Sequence, residues 1–413
     1  WSTKSRFMLN AYLLLALIAG FNIRGYSKPL SQFDCKYHYL LGNCKATFLL
    51  ESWIERKQNE AMLNLESSDK VQSQLNLWLN EHPEKMSRAY PLESNKAPEN
   101  VLGSYFNKQK KKPNVVIIVS ESLSSSFSGN HTPLGNLTPF TTSLMDKSLY
   151  WDNFYSNAQL SFGVMPNLLS SLPFVLTERG FVNTQLTYKS GERYPSHHSI
   201  IDILENNDYQ TSYFYGGWGN YDHVGDFIKS SDIDLYVDEH DFETVQHGPN
   251  NPRPEEKLMW GYDDKILFQE GLHHIESFDV SKPHLSIFQT LSLHSPYNMC
   301  SKEYYTLAFI DRKLHDMGLR REDLGKIDPA ALSSILFADD ALKQFFEAYE
   351  KREDFENTIF IITGDHAINK LYLTDHPLER YRVPLIIYSP MLKSTATFSG
   401  SCSHADVLPS LAA

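Results

Sequence analysis

The chain has 413 residues, of which 41% are hydrophobic, and its formal net charge is −12 at pH 7. This apolar content is ample for a sizeable core, which excludes a disordered or fibrous protein. The acidic balance argues against a general nucleic-acid-binding protein, because such a protein normally presents a basic surface.

Apolar residues dominate the beginning of the chain. Residues 7–23 are almost continuously apolar, close to the ~20 residues that a membrane-spanning helix needs. We interpret residues 1–28 as a membrane anchor containing the last transmembrane helix, with the following residues on the outer face. A signal-peptide core or a buried helix is the alternative, and the balanced flanking charges do not decide the orientation. Because the chain begins with Trp1 and not with Met, we expect a piece of a longer protein.

The next segment, residues 29–112, is polar and rich in Glu, Lys, Gln, Asn and Leu. This composition favours a helical connector next to the membrane over a second catalytic domain. Cys35 and Cys44 bracket a short loop within it. A disulfide between them is one interpretation and free thiols are the other, since sequence alone does not fix the required geometry.

From residue 113 onward, short apolar runs alternate with helical stretches. The β-branched run at 114–120 follows a proline and is typical of a strand buried on both faces of a parallel sheet. Similar runs occupy residues 211–215, 285–291, 358–363 and 384–388. Apolar residues recur at helical spacing over 331–350. We therefore predict an α/β domain over residues 113–413, with a parallel-rich sheet sandwiched by helices.

Acidic and imidazole side chains follow two of these predicted strands. Glu121 comes directly after the first strand, and Gly364, Asp365 and His366 come directly after the run at 358–363. Open parallel sheets gather ligands at the carboxyl ends of their strands, so we expect these side chains at one edge. Carboxylates and a neutral imidazole suit a divalent metal ion, and glycine permits a sharp turn beside them.

A metal-assisted transfer also needs a hydroxyl nucleophile. Ser161 lies in a predicted loop before a helix that we expect to begin near Pro166, since proline is favoured in a first helical turn. The backbone amides of that turn would hold an oxyanion. By composition alone, Ser161 is one of many serines, and a role in a turn is the alternative.

Seven motifs occur in a specific order from residue 113 onward. They are Pro-Asn-Val-Val-Ile-Ile-Val-Ser-Glu-Ser (113–122), Thr-Pro-Phe (138–140), Asn-Phe-Tyr (153–155), Gly-Val-Met-Pro-Asn-Leu-Leu-Ser-Ser-Leu-Pro (163–173), Trp-Gly-Tyr-Asp-Asp (260–264), Leu-Ser-Leu-His-Ser-Pro-Tyr (291–297) and Ile-Ile-Thr-Gly-Asp-His (361–366). Together they resemble the lipoteichoic acid synthase and phosphoglycerol transferase family of the sulfatase and alkaline-phosphatase-like superfamily. The resemblance implies an alkaline-phosphatase-like fold over residues 113–413.

The resemblance also implies a ligand set for one divalent metal ion, manganese or zinc. Glu121, Ser161, Asp365 and His366 match the metal-binding positions, and Ser161 takes the place of the family's nucleophilic threonine. The nucleophile loop departs from the family pattern, in which a basic residue precedes the threonine and a glycine follows it at a longer interval. Ser156 is therefore a second candidate nucleophile.

Four further residues match substrate-binding positions of the family. His294 would contact the headgroup phosphate or assist the leaving group, and Tyr215, Trp218 and Asn220 would line the same pocket. A structural histidine and simple aromatic packing are the alternatives. His404 resembles a late superfamily motif that approaches the metal edge.

The family resemblance implies a transferase that moves a phosphoglycerol or phosphoethanolamine headgroup from a phospholipid through a phosphoserine at Ser161. Its partners would be a phospholipid donor, a glycan, lipid or polymer acceptor, and the bacterial inner membrane, with the catalytic domain on the periplasmic face. A sulfatase-superfamily hydrolase is the alternative, although Ser161-Phe-Gly-Val-Met lacks the Pro and Arg of ordinary sulfatases. The alternative that is not an enzyme is a non-catalytic membrane scaffold.

Overall fold

The computed structural model describes residues 99–107, 110–129, 132, 136–172, 176–177, 180–181, 197–220, 224–242, 259–297, 307–316, 318, 320, 322, 328–368 and 377–412. They belong to one of the two compact units of the chain, formed by Glu84–Gln185 and Arg193–Ala413. The predicted anchor (1–28), the cysteine pair and most of the predicted connector (29–112) lie outside the described residues. Within the described residues, no helix is both long enough and apolar enough to span a membrane.

The described strands form one nine-stranded mixed sheet and a separate two-stranded hairpin. In chain order they are β1 (Asn114–Ser120), β2 (Leu149–Tyr155), β3 (Leu176–Thr177), β4 (Gly180–Phe181), β5 (Gln210–Tyr215), β6 (Leu235–Val237), β7 (His284–Gln289), β8 (Thr358–Gly364), β9 (Arg382–Tyr388), β10 (Ala396–Phe398) and β11 (Cys402–Ser403). The large sheet has the order β10-β2-β9-β8-β1-β7-β5-β6, with β11 also paired to β2, and β3 and β4 form the hairpin. Strand β9 is antiparallel to β2 and β8, and the other pairs of this sheet are parallel.

Strand β1 lies near the middle of the sheet and is buried along its whole length. Its side chains alternate between two hydrophobic clusters, as the two-residue period of a strand requires. Val116 and Ile118 belong to one cluster, whereas Val115, Ile117 and Val119 belong to the other. Both faces of the sheet are therefore covered, which explains the unbroken apolar run.

Helices supply the two covering layers. They are α1 (Pro139–Met145), α2 (Ser161–Ser170), α3 (Ile200–Glu205), α4 (Val224–Ile228), α5 (Asp264–Glu276), α6 (Leu307–Asp316), α7 (Pro329–Tyr349) and α8 (Val407–Leu411). Apolar side chains of α1, α5, α6 and α7 belong to the cluster on one face, and those of α2, α3, α4 and α8 to the cluster on the other. The predicted α/β architecture, a parallel-rich sheet between helices, is confirmed.

Several predicted boundaries are wrong for identifiable reasons. The run predicted as a strand at 285–291 ends at Gln289, because the residues after it turn toward the start of α5. The helix predicted to begin near Pro166 begins at Ser161, so Pro166 lies inside α2 and not in its first turn. Strand β2 was not predicted, because it is only partly buried and carries Asp152 and Asn153 in its middle.

Candidate active site

We call the carboxyl ends of β1, β7 and β8 the carboxyl edge. At this edge, the neighbouring strands β1 and β8 end beside each other. Strands β1 and β8 pair in parallel, with Ser120 opposite Gly364. Glu121 follows one strand, and Asp365 and His366 follow the other. The Asp365 amide donates a hydrogen bond to the Ser120 carbonyl at 3.1 Å. The structure thus brings these three predicted side chains to one edge of the sheet.

The three side chains form a compact buried cluster. Their exposed fractions are 3% for Glu121, 1% for Asp365 and 5% for His366. His366 Nε2 lies 3.6 Å from Glu121 Oε1 and 3.6 Å from Asp365 Oδ2. One ligand atom from each of the three residues falls within 4.8 Å of the others, a spacing that no other trio of His, Cys, Asp or Glu in the described residues meets.

Ser161 brings a hydroxyl to the same cluster. It is the first residue of α2, and its Oγ donates to Asp365 Oδ2 at 2.6 Å and approaches Glu121 Oε2 at 3.3 Å. Because the helix begins at Ser161 itself, its backbone amide dipoles point toward the hydroxyl and favour negative charge there. The corrected helix boundary therefore places Ser161 at a helix terminus that attracts anions.

Ser122, which was not predicted as a functional residue, links the members of this cluster. Its backbone φ is 54°, an uncommon value for a residue with a side chain. Its amide donates to Asp365 Oδ1 at 2.7 Å, and its hydroxyl donates to Glu121 Oε1 at 2.8 Å. The sequence signal was only its position after Glu121, because the contact with Asp365 depends on the fold.

Gly364 is required by a close approach of two chain segments. A Cβ at this position would lie 2.1 Å from the carbonyl oxygen of Leu123, far inside van der Waals contact. From the sequence, we expected this glycine to permit a sharp turn. The structure shows another reason: because glycine has no side chain, the ends of β1 and β8 can meet. The two carboxylates of the cluster can therefore approach each other.

The carboxyl edge concentrates negative charge in a buried place. Burial and the neighbouring Asp365 carboxylate raise the pKa of Glu121 to about 7, although His366 and His294 act in the opposite direction. Burial opposes protonation of His366, but the charges of Asp365 and Glu121 raise its pKa above the ordinary value. The cluster is therefore short of positive charge.

The donor set fits a divalent metal ion. Two carboxylates, one imidazole and one hydroxyl are oxygen and nitrogen ligands of the kind that zinc and manganese accept. Ligand atoms bound tetrahedrally at about 2.1 Å from an ion are roughly 3.4 Å apart. The 3.6 Å separations from His366 Nε2 to the two carboxylates are close to that spacing. Glu121, Ser161, Asp365 and His366 are the residues that could hold the ion.

Ser156 and His404 lie close to the cluster but have other contacts. The Ser156 hydroxyl contacts the carbonyl oxygens of Ala158 at 2.7 Å and Asp365 at 2.5 Å. His404 is fully buried, with Nε2 at 3.0 Å from the Gly364 carbonyl oxygen. Both side chains thus support the backbone around Asp365, and the hydroxyl of Ser161 is the one directed at both carboxylates.

A comparison with protein families agrees with this site. The family model described as Sulfatase matches residues 113–413, more than half of the chain. The chain belongs to the Sulfatase family. The matched range coincides with the predicted catalytic domain and contains every residue of the cluster.

Curated relatives within the Sulfatase family come from Bacillus subtilis (strain 168). Lipoteichoic acid synthase-like YvgJ is 21% identical over 327 residues, which cover 73% of this chain and 47% of the relative. Lipoteichoic acid synthase 2 is 23% identical over 312 residues, which cover 72% and 43%. The chain spans less than half the length of these relatives. The predicted resemblance to the lipoteichoic acid synthase family is confirmed.

Solved structures share the fold. A protein in the alkaline phosphatase superfamily from Vibrio parahaemolyticus has a TM-score of 0.59 at 22% identity, covering 83% of this chain and 74% of that one. The lipoteichoic acid synthase LtaP from Listeria monocytogenes has a TM-score of 0.58 at 18% identity, covering 76% and 74%. The predicted alkaline-phosphatase-like fold is confirmed.

His294 lies in the loop that follows β7 in this Sulfatase-family chain. Its charge acts to lower the pKa of Glu121. Its Nδ1 is 2.7 Å from the Ser295 carbonyl oxygen, and its ring packs on Trp260 with centroids 4.9 Å apart. Because a carbonyl oxygen only accepts, Nδ1 donates in this contact, which leaves Nε2 for other partners.

The remaining predicted substrate-binding residues differ in how deeply they are buried. Tyr215 is buried at the end of β5, and burial together with the charges of Glu121 and Asp365 raises its pKa above the ordinary value. Trp218 is 48% exposed and Asn220 is exposed as well. Within the described residues, neither Trp218 nor Asn220 is hydrogen-bonded to the cluster. Tyr215 is thus beside the site, while the other two lie farther along the loop.

Proposed function

We propose that the protein is a membrane-anchored, metal-dependent transferase. It moves a phosphoglycerol or phosphoethanolamine headgroup from a phospholipid to an acceptor through a phosphoserine at Ser161. The observation that carries this proposal is the Ser161 hydroxyl at the start of α2, in hydrogen-bond contact with Asp365 and near Glu121 in a three-ligand cluster. Membership of the Sulfatase family and lipoteichoic acid synthases among the relatives support it.

Four residues would hold one divalent ion, manganese or zinc: Glu121, Ser161, Asp365 and His366. When bound, such an ion supplies Lewis acidity that lowers the pKa of a hydroxyl and neutralises phosphoryl oxygens. The chain itself contributes the orientation, since Ser122 hydrogen-bonds to both carboxylates.

In the first step, Ser161 Oγ attacks the phosphorus of the phospholipid and the bond from phosphorus to the diacylglycerol oxygen breaks. The Ser161 proton, held in the hydrogen bond to Asp365 Oδ2, passes to water, so that the carboxylate keeps its charge. The leaving oxygen takes a proton from Nε2 of His294 in its doubly protonated form, in which the Nδ1 hydrogen faces the Ser295 carbonyl. The products are diacylglycerol and a phosphodiester on Ser161.

In the second step, an acceptor hydroxyl loses its proton to His294 Nε2 and attacks the phosphorus. The bond from phosphorus to Ser161 Oγ breaks, and this oxygen takes a proton back from water. The cycle returns each residue to its starting protonation state, so the headgroup is the only group transferred.

The organisation of the whole protein is part of the proposal. Residues 1–28 would anchor the chain in the bacterial inner membrane, residues 29–112 would connect the anchor to the catalytic domain, and residues 113–413 would lie on the periplasmic face. A membrane anchor suits a phospholipid donor, because donor and enzyme then share one surface. The acceptor would be a glycan, a lipid or a polymer, as the names of the lipoteichoic acid synthase relatives suggest.

The test is an assay of purified full chain with manganese or zinc and fluorescent phosphatidylglycerol or phosphatidylethanolamine. We expect diacylglycerol release by the wild type and a loss of at least about 1,000-fold in Ser161→Ala. Ser143→Ala is the matched control, since this exposed serine of α1, among the residues that the structure describes, bonds only to the Phe140 carbonyl. Release that survives in Ser161→Ala contradicts the nucleophile, and activity restricted to soluble esters favours a hydrolase.

A further inference from the structure

The Trp-Gly-Tyr-Asp-Asp motif (260–264) has no part in the proposed reaction, yet it contacts several segments of the site. Its last two residues begin α5. Asp263 is the N-cap, and its Oδ1 accepts from the amides of Lys265 at 3.0 Å and Ile266 at 3.2 Å. The helix terminus is thus already capped, which leaves the carboxylate of Asp264 for other contacts.

Asp264 binds the segment that follows β7. Its carboxylate is 2% exposed, and Oδ1 accepts from the amides of Leu291 at 2.8 Å and Ser292 at 2.9 Å. The Asp264 amide in turn donates to Ser292 Oγ at 3.0 Å. Three hydrogen bonds therefore fix the start of α5 against the chain just before His294.

Thr290 extends this contact to the metal-site cluster. The amide of Glu121 donates to Thr290 Oγ1 at 3.1 Å. The next two residues of the chain, Leu291 and Ser292, are those whose amides Asp264 accepts from. Asp264 therefore fixes the backbone next to Thr290, and Thr290 contacts the backbone of Glu121, a residue about 140 positions before Asp264 in the chain.

The same motif contacts the loop after β5. The Tyr262 amide donates to the Gly216 carbonyl at 2.8 Å. Gly261 has a φ of 137°, and a Cβ there would lie 2.1 Å from the Gly216 oxygen. Trp260 Nε1 donates to the Ser295 carbonyl at 3.1 Å. The motif therefore lies between the loop after β5 and the loop that carries His294.

We propose that Asp264 is a positioning residue: by holding the amides of Leu291 and Ser292 it fixes the loop that carries His294, and it keeps the adjacent Thr290 hydroxyl against the Glu121 amide. This inference rests on the proposed function, since Glu121 is a metal ligand only there. A buried carboxylate with several donors holds a rigid position, because breaking any of these bonds leaves a buried polar group without a partner. Residues that orient ligands in this way govern metal affinity as well as turnover.

The chain offers matched variants. Thr290→Val removes the hydroxyl that accepts from the Glu121 amide at nearly constant shape, and Thr290→Ser keeps this hydroxyl. Asp264→Ala removes the carboxylate that accepts from the Leu291 and Ser292 amides, whereas Asp264→Asn keeps one oxygen acceptor for them. Asp263→Ala removes the helix cap alone. The measurements are the dissociation constants of Mn²⁺ and Zn²⁺ by calorimetry on the full chain, together with the melting temperature.

We expect Thr290→Val and Asp264→Ala to weaken metal binding by about 10- to 100-fold. Thr290→Ser and Asp264→Asn should recover most of that loss. Asp263→Ala should lower the melting temperature and leave the metal dissociation constants within about twofold of wild type. If Asp264→Ala fails to fold, Thr290→Val carries the test, because valine has almost the shape of threonine.

Two other results would count against the inference in different ways. Unchanged metal affinity in both Thr290→Val and Asp264→Ala, in a wild type that binds metal, overturns the positioning role alone and leaves Asp264 a structural residue. A wild type that binds no divalent ion overturns the proposed function and the inference with it.

Discussion

The two ends of the parallel strands differ in how the charge of their acidic side chains is balanced. At the amino edge, the amino ends of β1, β7 and β8, Asp354 receives two hydrogen bonds from Arg352 at 2.9 and 3.0 Å and one from Asn114 at 3.3 Å. His284 Nε2 lies 3.5 Å from the same carboxylate and 3.2 Å from the Tyr349 hydroxyl. Burial alone would raise the pKa of Asp354, but His284 and Arg352 lower it to about 2.

At the carboxyl edge the balance is reversed. Burial and Asp365 raise the pKa of Glu121 to about 7, and the opposing charges of His366 and His294 do not offset this. The amino edge supplies its own counter-charge, whereas the carboxyl edge holds two acids that a cation would complete. Under the proposed function, the unbalanced carboxyl edge serves metal binding and the balanced amino edge serves stability.

The largest expected effect comes from removing charge at the carboxyl edge. Glu121→Gln keeps the shape of the side chain but supplies no negative charge to an ion. We expect metal binding to weaken by at least about 100-fold and headgroup transfer to fall by more than about 1,000-fold. The melting temperature of the metal-free protein should not fall, since a buried like-charge pair is relieved. Calorimetry and thermal unfolding on one preparation would show both effects, and a Glu121→Gln protein with wild-type metal affinity would break the comparison.

The matching change at the amino edge should affect stability alone. Asp354→Ala leaves Arg352 and Asn114 without their shared acceptor, and we expect the free energy of unfolding to fall by about 2–3 kcal/mol. Transfer activity per folded molecule should stay unchanged. Urea unfolding and an activity assay below the transition are the measurements, with the exposed neighbour changed in Glu353→Ala as control. Loss of activity without loss of stability would mean that the amino edge also serves the site.

The pH dependence of stability at His404 shows what a buried positive charge costs behind the carboxyl edge. Burial lowers its pKa to about 4, and its Nδ1 has no hydrogen-bond partner within the described residues. A histidine whose pKa is lowered on folding contributes stability above its ordinary pKa and loses it as the pH falls toward the folded value. The free energy of unfolding should therefore drop by about 2 kcal/mol between pH 7 and pH 5 on account of this residue. A His404→Gln variant whose pH dependence matches the wild type would contradict this.

The smallest effect is expected at Ala367, the residue that follows the Asp365-His366 pair. Ala367 is buried. Ala367→Gly should lower the free energy of unfolding by about 1 kcal/mol or less, because glycine gains freedom in the unfolded chain. Transfer should remain within about twofold of wild type. A larger change in activity would show that the backbone freedom of this residue limits the site.

Part of this organisation could be predicted from the sequence because its signals are local. The strands β1 and β8 are apolar runs, and Glu121, Asp365 and His366 immediately follow them. The predicted architecture needs only these runs and the helical spacing over α7. Their approach at one edge follows from the general behaviour of parallel sheets.

Other features depend on contacts between distant segments. The start of α2 was misplaced because proline was read as a first-turn signal, although Ser161 begins the helix five residues earlier. Ser122 and Thr290 have no local signature, since each acts through a partner about 170 or more residues away. Such residues become visible only when the fold brings the segments together.

The most direct test of the central claim is anomalous diffraction from crystals of the protein soaked with manganese. The account predicts one peak at bonding distance from Glu121, Ser161, Asp365 and His366, and its loss in Glu121→Gln crystals treated in the same way. A peak elsewhere, or none at this cluster under saturating manganese, would contradict the view that the carboxyl edge is completed by a metal ion.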